Sequence, residues 1–172
     1  MDDDEATDDA TLEADARALA SVVRIRILRL CLDEALTNKE IADRLGRDPA
    51  TTYHHVRTLA ERGFLAAQPE RRGTRGAREV PYLATRKSWR TPGGPTMGQV
   101  LIDTFVAEVA EADPAGVRTV RLGVRLDAPA VAELDRRIGE LFQELADRPV
   151  DLAATPYSIF YAMHEDVGRR PR

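Results

Sequence analysis

Residues 36–65 read LTNKEIADRLGRDPATTYHHVRTLAERGFL, and the architecture follows from them. Thr37 and Glu40 stand three apart as a capping box, T-x-x-E, opening a helix NKEIADRL whose Ile41, Ala42 and Leu45 share one apolar face. Gly46 suits the left-handed residue that closes such a helix. Asp48 and Pro49 follow at once as an N-cap and a favoured first helical residue, so a second helix runs ATTYHHVRTLAER and ends at Gly63. Two short helices joined by a ~3–4-residue turn make a helix-turn-helix, in which the second helix enters the major groove of DNA.

At about 100° per residue, Thr52, Leu59 and Ala60 lie near Val56 on the second helix, with Tyr53 at the edge of that core-facing arc. Thr51, His54 and Thr58 lie nearly opposite, flanked by Ala50 and Arg57. No acid interrupts this face before Glu61. Hydroxyl, imidazole and guanidinium groups suit base edges and phosphates, so Ala50, Thr51, Tyr53, His54, Arg57 and Thr58 are the candidate DNA contacts. An ordinary solvated helix face is the competing reading. His54 is expected to face DNA and His55 to be partly packed, and adjacent residues diverge too far to clamp one ion.

After Gly63, FLAAQP and VPYLAT read as short strands flanking ERRGTRGARE, in which Gly73 and Gly76 let the backbone turn. The hairpin carries Arg71, Arg72, Arg75 and Arg78, a basic wing suited to the phosphates or the minor groove. Upstream, ALASVVRIRILRLCLDEA has helical apolar spacing through Leu19, Val23, Ile27, Leu30 and Cys31, with helices expected over about 12–20 and 22–33. The single cysteine, Cys31, falls on that stripe and reads as a small core residue. Residues 1–11, MDDDEATDDAT, are charged and almost without apolar groups, and are expected to be a disordered tail.

ALASVVRIRILRLCLDEALTNKEIADRLGRDPATTYHHVRTLAERGFL resembles the winged helix-turn-helix of ArsR-type bacterial transcription regulators. The likeness lies in the R-x-R-I-L helix, the L-T-x-x-E-I-A-x-x-L-G helix, the H-H-x-x-x-L recognition helix and the G-F-L entry to the wing, and covers about residues 14–90. It implies a homodimer on a double-stranded operator, with recognition helices on half-sites about one turn of DNA apart. Metal-sensing members carry a Cys-x-Cys pair where this chain reads TNKEIADRL, and others use a C-terminal Asp and His set, whereas here His164 stands with only Glu165 and Asp166. No metal and no other cofactor is therefore expected.

TPGGP, residues 91–95, reads as a hinge. Beyond it Val100, Leu101, Phe105 and Val109 fall on one stripe of an amphipathic helix, the expected dimer interface, with packing inside its own chain as the alternative. Val120, Leu122, Val124 and Leu126 alternate, giving an expected strand over Thr119–Leu126. Helical spacing returns through Val131, Leu134, Ile138, Leu141, Phe142 and Leu145, and TPYSIFYAMHE closes as a second strand. Phe105, Phe142, Tyr157, Phe160 and Tyr161, with Trp89 at the junction, suit a plain core better than a pocket for a small-molecule effector.

The 172 residues carry 25 Lys and Arg against 29 Asp and Glu, a formal charge of −4 that seems to speak against a polyanion. Resolved along the chain it becomes −8 over residues 1–15, +8 over 16–90 and −4 over 91–172, so the middle block seeks phosphate. Nothing approaches an ~18-residue apolar run, and one cysteine fits a reducing compartment, so a cytoplasmic protein with no membrane segment is expected. There is no phosphate-binding glycine loop, no nucleophile beside a base and no metal triad, which speaks against an enzyme. The expected fold is α+β and mainly α: a winged helix-turn-helix over 12–90, then a dimerisation helix and a small strand-helix-strand region within 96–172. The function read from it is a sequence-specific DNA-binding regulator, more fittingly a repressor. A winged-helix protein-interaction module is the alternative.

Overall fold

The capping box forms as its spacing requires. In the computed structural model, which describes residues 2–73, 76–91 and 95–169, the Thr37 hydroxyl accepts from the Glu40 amide, and the Thr37 amide donates back to Glu40 Oε2 at 2.8 Å. Helix α3 (Asn38–Leu45) starts there and closes on Gly46 at φ +61°, a left-handed conformation that a side chain resists. Helix α4 (Pro49–Glu61) follows, with Asp48 accepting from the Ala50 and Thr51 amides at 3.0 Å. Asn38 Nδ2 donates to Pro49 O at 2.9 Å and ties the start of α3 to the start of α4.

Two compact units divide the chain, Met1–Ala112 and Asp113–Arg172. In the first, α1 (Asp2–Leu19) and α2 (Val22–Leu30) precede β1 (Leu36–Thr37), α3 and α4. Strand β2 (Leu65–Ala67), the hairpin β3 (Arg71–Arg72) and β4 (Arg78–Glu79), β5 (Pro81–Ala84), α5 (Lys87–Arg90) and α6 (Pro95–Glu111) follow. Strands β1, β5 and β2 form an antiparallel sheet in that order, registered by Leu36 opposite Tyr82 and Ala66 opposite Leu83. The fold is α+β and mainly α, a winged helix-turn-helix whose wing continues from β2 and β5 into β3 and β4.

Leu19, Ile27, Leu36, Ile41, Val56, Leu59 and Phe64 are fully buried and bring α2, α3, α4 and the sheet onto one core. Each such side chain is worth about 1.5–3 kcal/mol of burial. Cys31 is fully buried among them, and burial pushes its thiol up to about 12, so it acts as an apolar filler. Asp15 is buried on α1, where Arg62 Nε, at the end of α4, donates to it at 2.7 Å and Lys87 Nζ, on α5, lies 2.5 Å away.

Three expectations need correction. Helix α1 begins at Asp2, so residues 2–11 are helical where a disordered tail was expected. Acids in the first turns of a helix complement its dipole, a local term that composition alone does not show. The stripe expected as a dimer face is split between two sides of α6. Met97, Val100, Leu101 and Thr104 turn to the core of their own unit, while Ile102 and Val106 are exposed with Phe105 and Val109 half-buried beside them. The third concerns the second unit, where α7 (Ala128–Ala146) is capped by Asp127, which accepts from the Ala130 amide at 2.9 Å. Residues 119–126 and 156–164 on either side of α7 belong to no helix and to neither sheet, because no strand is hydrogen-bonded beside them.

Candidate nucleic-acid interface

Along α4 the two faces separate as 3.6-residue periodicity dictates. Thr52, Val56 and Leu59 are buried, and Thr52 Oγ1 donates to Asp48 O at 2.9 Å, so the helix is anchored from behind and at its start. Ala50, Thr51, Tyr53, His54 and Arg57 are exposed and Thr58 is half-exposed, its hydroxyl donating to His54 O at 3.0 Å. The six residues expected to face DNA thus form one accessible surface. Tyr53, placed at the edge of the core arc by spacing alone, is 53% exposed. Arg57 Nε donates to Glu61 at 2.6 Å, an exposed pair worth little in water and readily exchanged for a phosphate.

His54 and His55 point apart, with ring centres 6.2 Å from each other. His55 is half-buried with its Nδ1 unpartnered, and burial, helped by Arg24, His54 and Arg47, lowers its pKa below the ordinary histidine value. It is therefore neutral at neutral pH, as a packed rather than a phosphate-binding histidine should be. Arg47, exposed in the turn before α4, lies beside this face. Sequence reasoning passed over it, although a base between Gly46 and the Asp48 cap was the available signal.

On the wing, Arg71, Arg72 and Arg78 are exposed, and Arg75 lies outside the described residues. Arg71 Nη2 donates to both Glu40 oxygens at 2.5 and 2.6 Å, so this arginine ties the hairpin to the capping box of α3. That tie was not legible in sequence, because the partners lie 31 residues apart. Glu40 is held below the ordinary carboxylate range by the Thr37 amide first and by the Thr37 hydroxyl and Arg71 besides. Arg78 makes a long contact with Glu70 at 3.4 Å. Arg72 stands directly opposite Arg78 in the β3–β4 register, a like-charge pair that costs about 0.2–1 kcal/mol unless an anion lies between them.

A family model described as a helix-turn-helix domain matches residues 19–67. This part of the chain has a helix-turn-helix fold. The match covers α2, β1, α3, α4 and β2, and the wing hairpin and the second unit lie beyond it. No curated protein matches the chain. Among solved structures, reduced HlyU from Vibrio cholerae is 18% identical, with 60% of this chain and 95% of that one covered and a TM-score of 0.40. NolR from Sinorhizobium fredii is 14% identical over 64% and 94%, with a TM-score of 0.40. The homodimeric winged helix-turn-helix DNA-binding domain of Mb0332 from Mycobacterium bovis, described as a possible ArsR-family regulator, is 18% identical over 70% and 94%, with a TM-score of 0.43.

Among the described residues, no group of three or more His, Cys, Asp or Glu side chains is placed to hold a metal ion. His164 is exposed, with Nδ1 2.8 Å from Glu165 O. No helix among the described residues is long and apolar enough to cross a membrane.

Proposed function

We propose that this protein is a sequence-specific, DNA-binding transcriptional regulator, a homodimeric repressor that works without a metal cofactor. Helix α4 lies in the major groove and presents Thr51, Tyr53, His54 and Arg57 to the bases, with Ala50 and Thr58 against the backbone. The β3–β4 wing lays Arg72, Arg75 and Arg78 on the neighbouring phosphates, while Arg71 holds the wing to α3. Ile102, Phe105, Val106 and Val109 form the outward stripe of α6 and supply the apolar surface for dimerisation. The wing register carries the DNA reading: Arg72 faces Arg78 across the hairpin, an arrangement that a phosphate stabilises, and the exposed side of α4 bears no acid before Glu61.

Fluorescence anisotropy with the region upstream of its own gene, against random duplexes of the same length, tests the reading. Specific binding is expected to be at least ~10³-fold tighter than to random DNA. Arg72→Ala is expected to weaken both and to lower the salt slope by about one, whereas Thr51→Ala and His54→Ala erode the preference. Equal affinity for both DNAs would remove the specific-regulator reading. Genome-wide pull-down of bound DNA, with and without candidate ligands, would then identify operators and any small-molecule effector.

A further inference from the structure

Among the described residues of Asp113–Arg172 none is buried. Helix α7 gathers its apolar residues on one side, yet Leu141 there remains 48% exposed. Two side-chain contacts join a first segment, residues 118–126, to the chain after α7, which holds a second, residues 157–164. The Arg118 guanidinium lies 5.7 Å from the Tyr157 ring centre, and Arg169, just past the second segment, donates to Val124 O at 3.0 Å. No ladder joins them. Val120, Leu122, Val124 and Leu126 alternate in the first segment, and Tyr157, Ile159, Tyr161 and Met163 in the second, at exposures from 38% to 96%.

Alternation over such lengths, broken only by Phe160 in the second segment, is the pattern of strands whose apolar face is covered and whose backbone is paired. The other strands of the chain have two to four residues, so the matching partner for 118–126 is another 118–126. We propose that two copies of this chain join through these segments, the two 118–126 strands pairing antiparallel and the 157–164 strands flanking them in a four-stranded sheet. Each central strand then lies between the two strands of the other copy, the split β-α-β arrangement, and the α7 helices share one sheet. The eight alternating apolar side chains of each copy are of the order needed for the ~800 Å² that a standard interface takes from each partner.

Charge and the length of the segment together set the register. In an antiparallel pair related by a two-fold axis normal to the sheet, opposed residues share a face, so the axis passes through one residue and its own copy. Centring on Gly123 sets Arg121 against Arg125 of the second copy, a like-charge pair. Centring on Val124 sets Val120 against Ala128, already the first residue of α7. Centring on Leu122 sets Leu122 against Leu122, Val120 against Val124, Arg121 against Gly123 and Arg125 against Thr119, with no arginine pair and only Leu126, opposite Arg118, left without an apolar partner.

The test uses the full chain carrying Leu122→Cys. Cys31 is fully buried and does not compete as a thiol. Mild oxidation is expected to yield a disulfide-linked dimer, with at least tenfold less from Val120→Cys, whose two copies lie farther apart than a disulfide spans. Sedimentation velocity is expected to show a wild-type dimer and at least a tenfold higher dissociation constant for Leu122→Asp; the cysteine variants decide the matter should that variant misfold. A monomeric wild type, equal linking at 120 and 122, or a dimer untouched by Leu122→Asp would overturn the proposal. No DNA enters these measurements: a monomeric wild type would also remove the homodimer of the proposed function, and every other failure leaves that function as it stands.

Discussion

Asp15 shows how a single residue ties the ends of the helix-turn-helix domain together. The residue is 2% exposed, and its carboxylate receives Arg62 and Lys87, which also lies 4.7 Å from the Phe64 ring centre. Burial works to raise its pKa, but hydrogen bonds and charge from Lys87 and Arg62 outweigh it and hold the group below the ordinary aspartate value. A depressed folded pKa contributes stability that is present above the unfolded value of ~3.9 and is lost as pH falls through the folded one. Asp15→Asn leaves two cations facing a buried neutral amide and is expected to cost about 1–3 kcal/mol at pH 7, the lower end applying because both cations reach solvent. Thermal unfolding at pH 7 and pH 3 checks it: the gap between wild type and variant should shrink at pH 3, and an unchanged gap would assign the cost to packing.

At the level of elements, what was legible in the sequence is what neighbouring residues determine. Thr37, Glu40 and Gly46 bound α3, Asp48 and Pro49 start α4, and Gly63 at φ +72° opens the way to β2, each through contacts within a few positions. The exposed side of α4 followed from period alone, because one side is anchored by Val56 and Leu59. What was not legible depends on distant partners. Arg71 read as a phosphate contact and is held by Glu40, while Val100 and Leu101 read as a dimer face and are covered by their own core. Glu40 now has two tasks, closing the capping box and tethering the wing. Glu40→Ala is therefore expected to lower stability by about 1–2 kcal/mol, a cap loss with an added surface pair, and to speed amide exchange in β3 and β4. Asp48→Ala removes a cap of similar worth from α4 but touches nothing on the wing. Hydrogen exchange separates the two, since equal protection of the hairpin in both variants would mean that the Arg71 tether does not order it.

For the whole molecule the charge pattern sets long-range behaviour. The +8 of residues 16–90 includes the candidate DNA face, and the −8 of residues 1–15 sits on α1 of the same unit. Residues 2–9 hold six of those acids, and deleting them takes the formal charge from −4 to +2. The deletion keeps Asp15, and it keeps Thr11, whose carbonyl accepts from Arg62 Nη2 at 3.0 Å, so the helix-turn-helix core should unfold at nearly the wild-type temperature. Repulsion between the acids and a phosphate backbone is long-range only at low salt, where the Debye length is ~30 Å at 0.01 M against ~8 Å at 0.15 M. Truncation is accordingly expected to tighten binding to a random duplex by roughly threefold or more at low salt and to leave it almost unchanged at high salt, the contact-derived salt slope being the same. Anisotropy titrations across that range distinguish this from a direct role. If binding weakens on truncation, the acidic segment supports the DNA-binding surface instead of opposing it; if the gain persists at high salt, it competes for the arginines at contact distance.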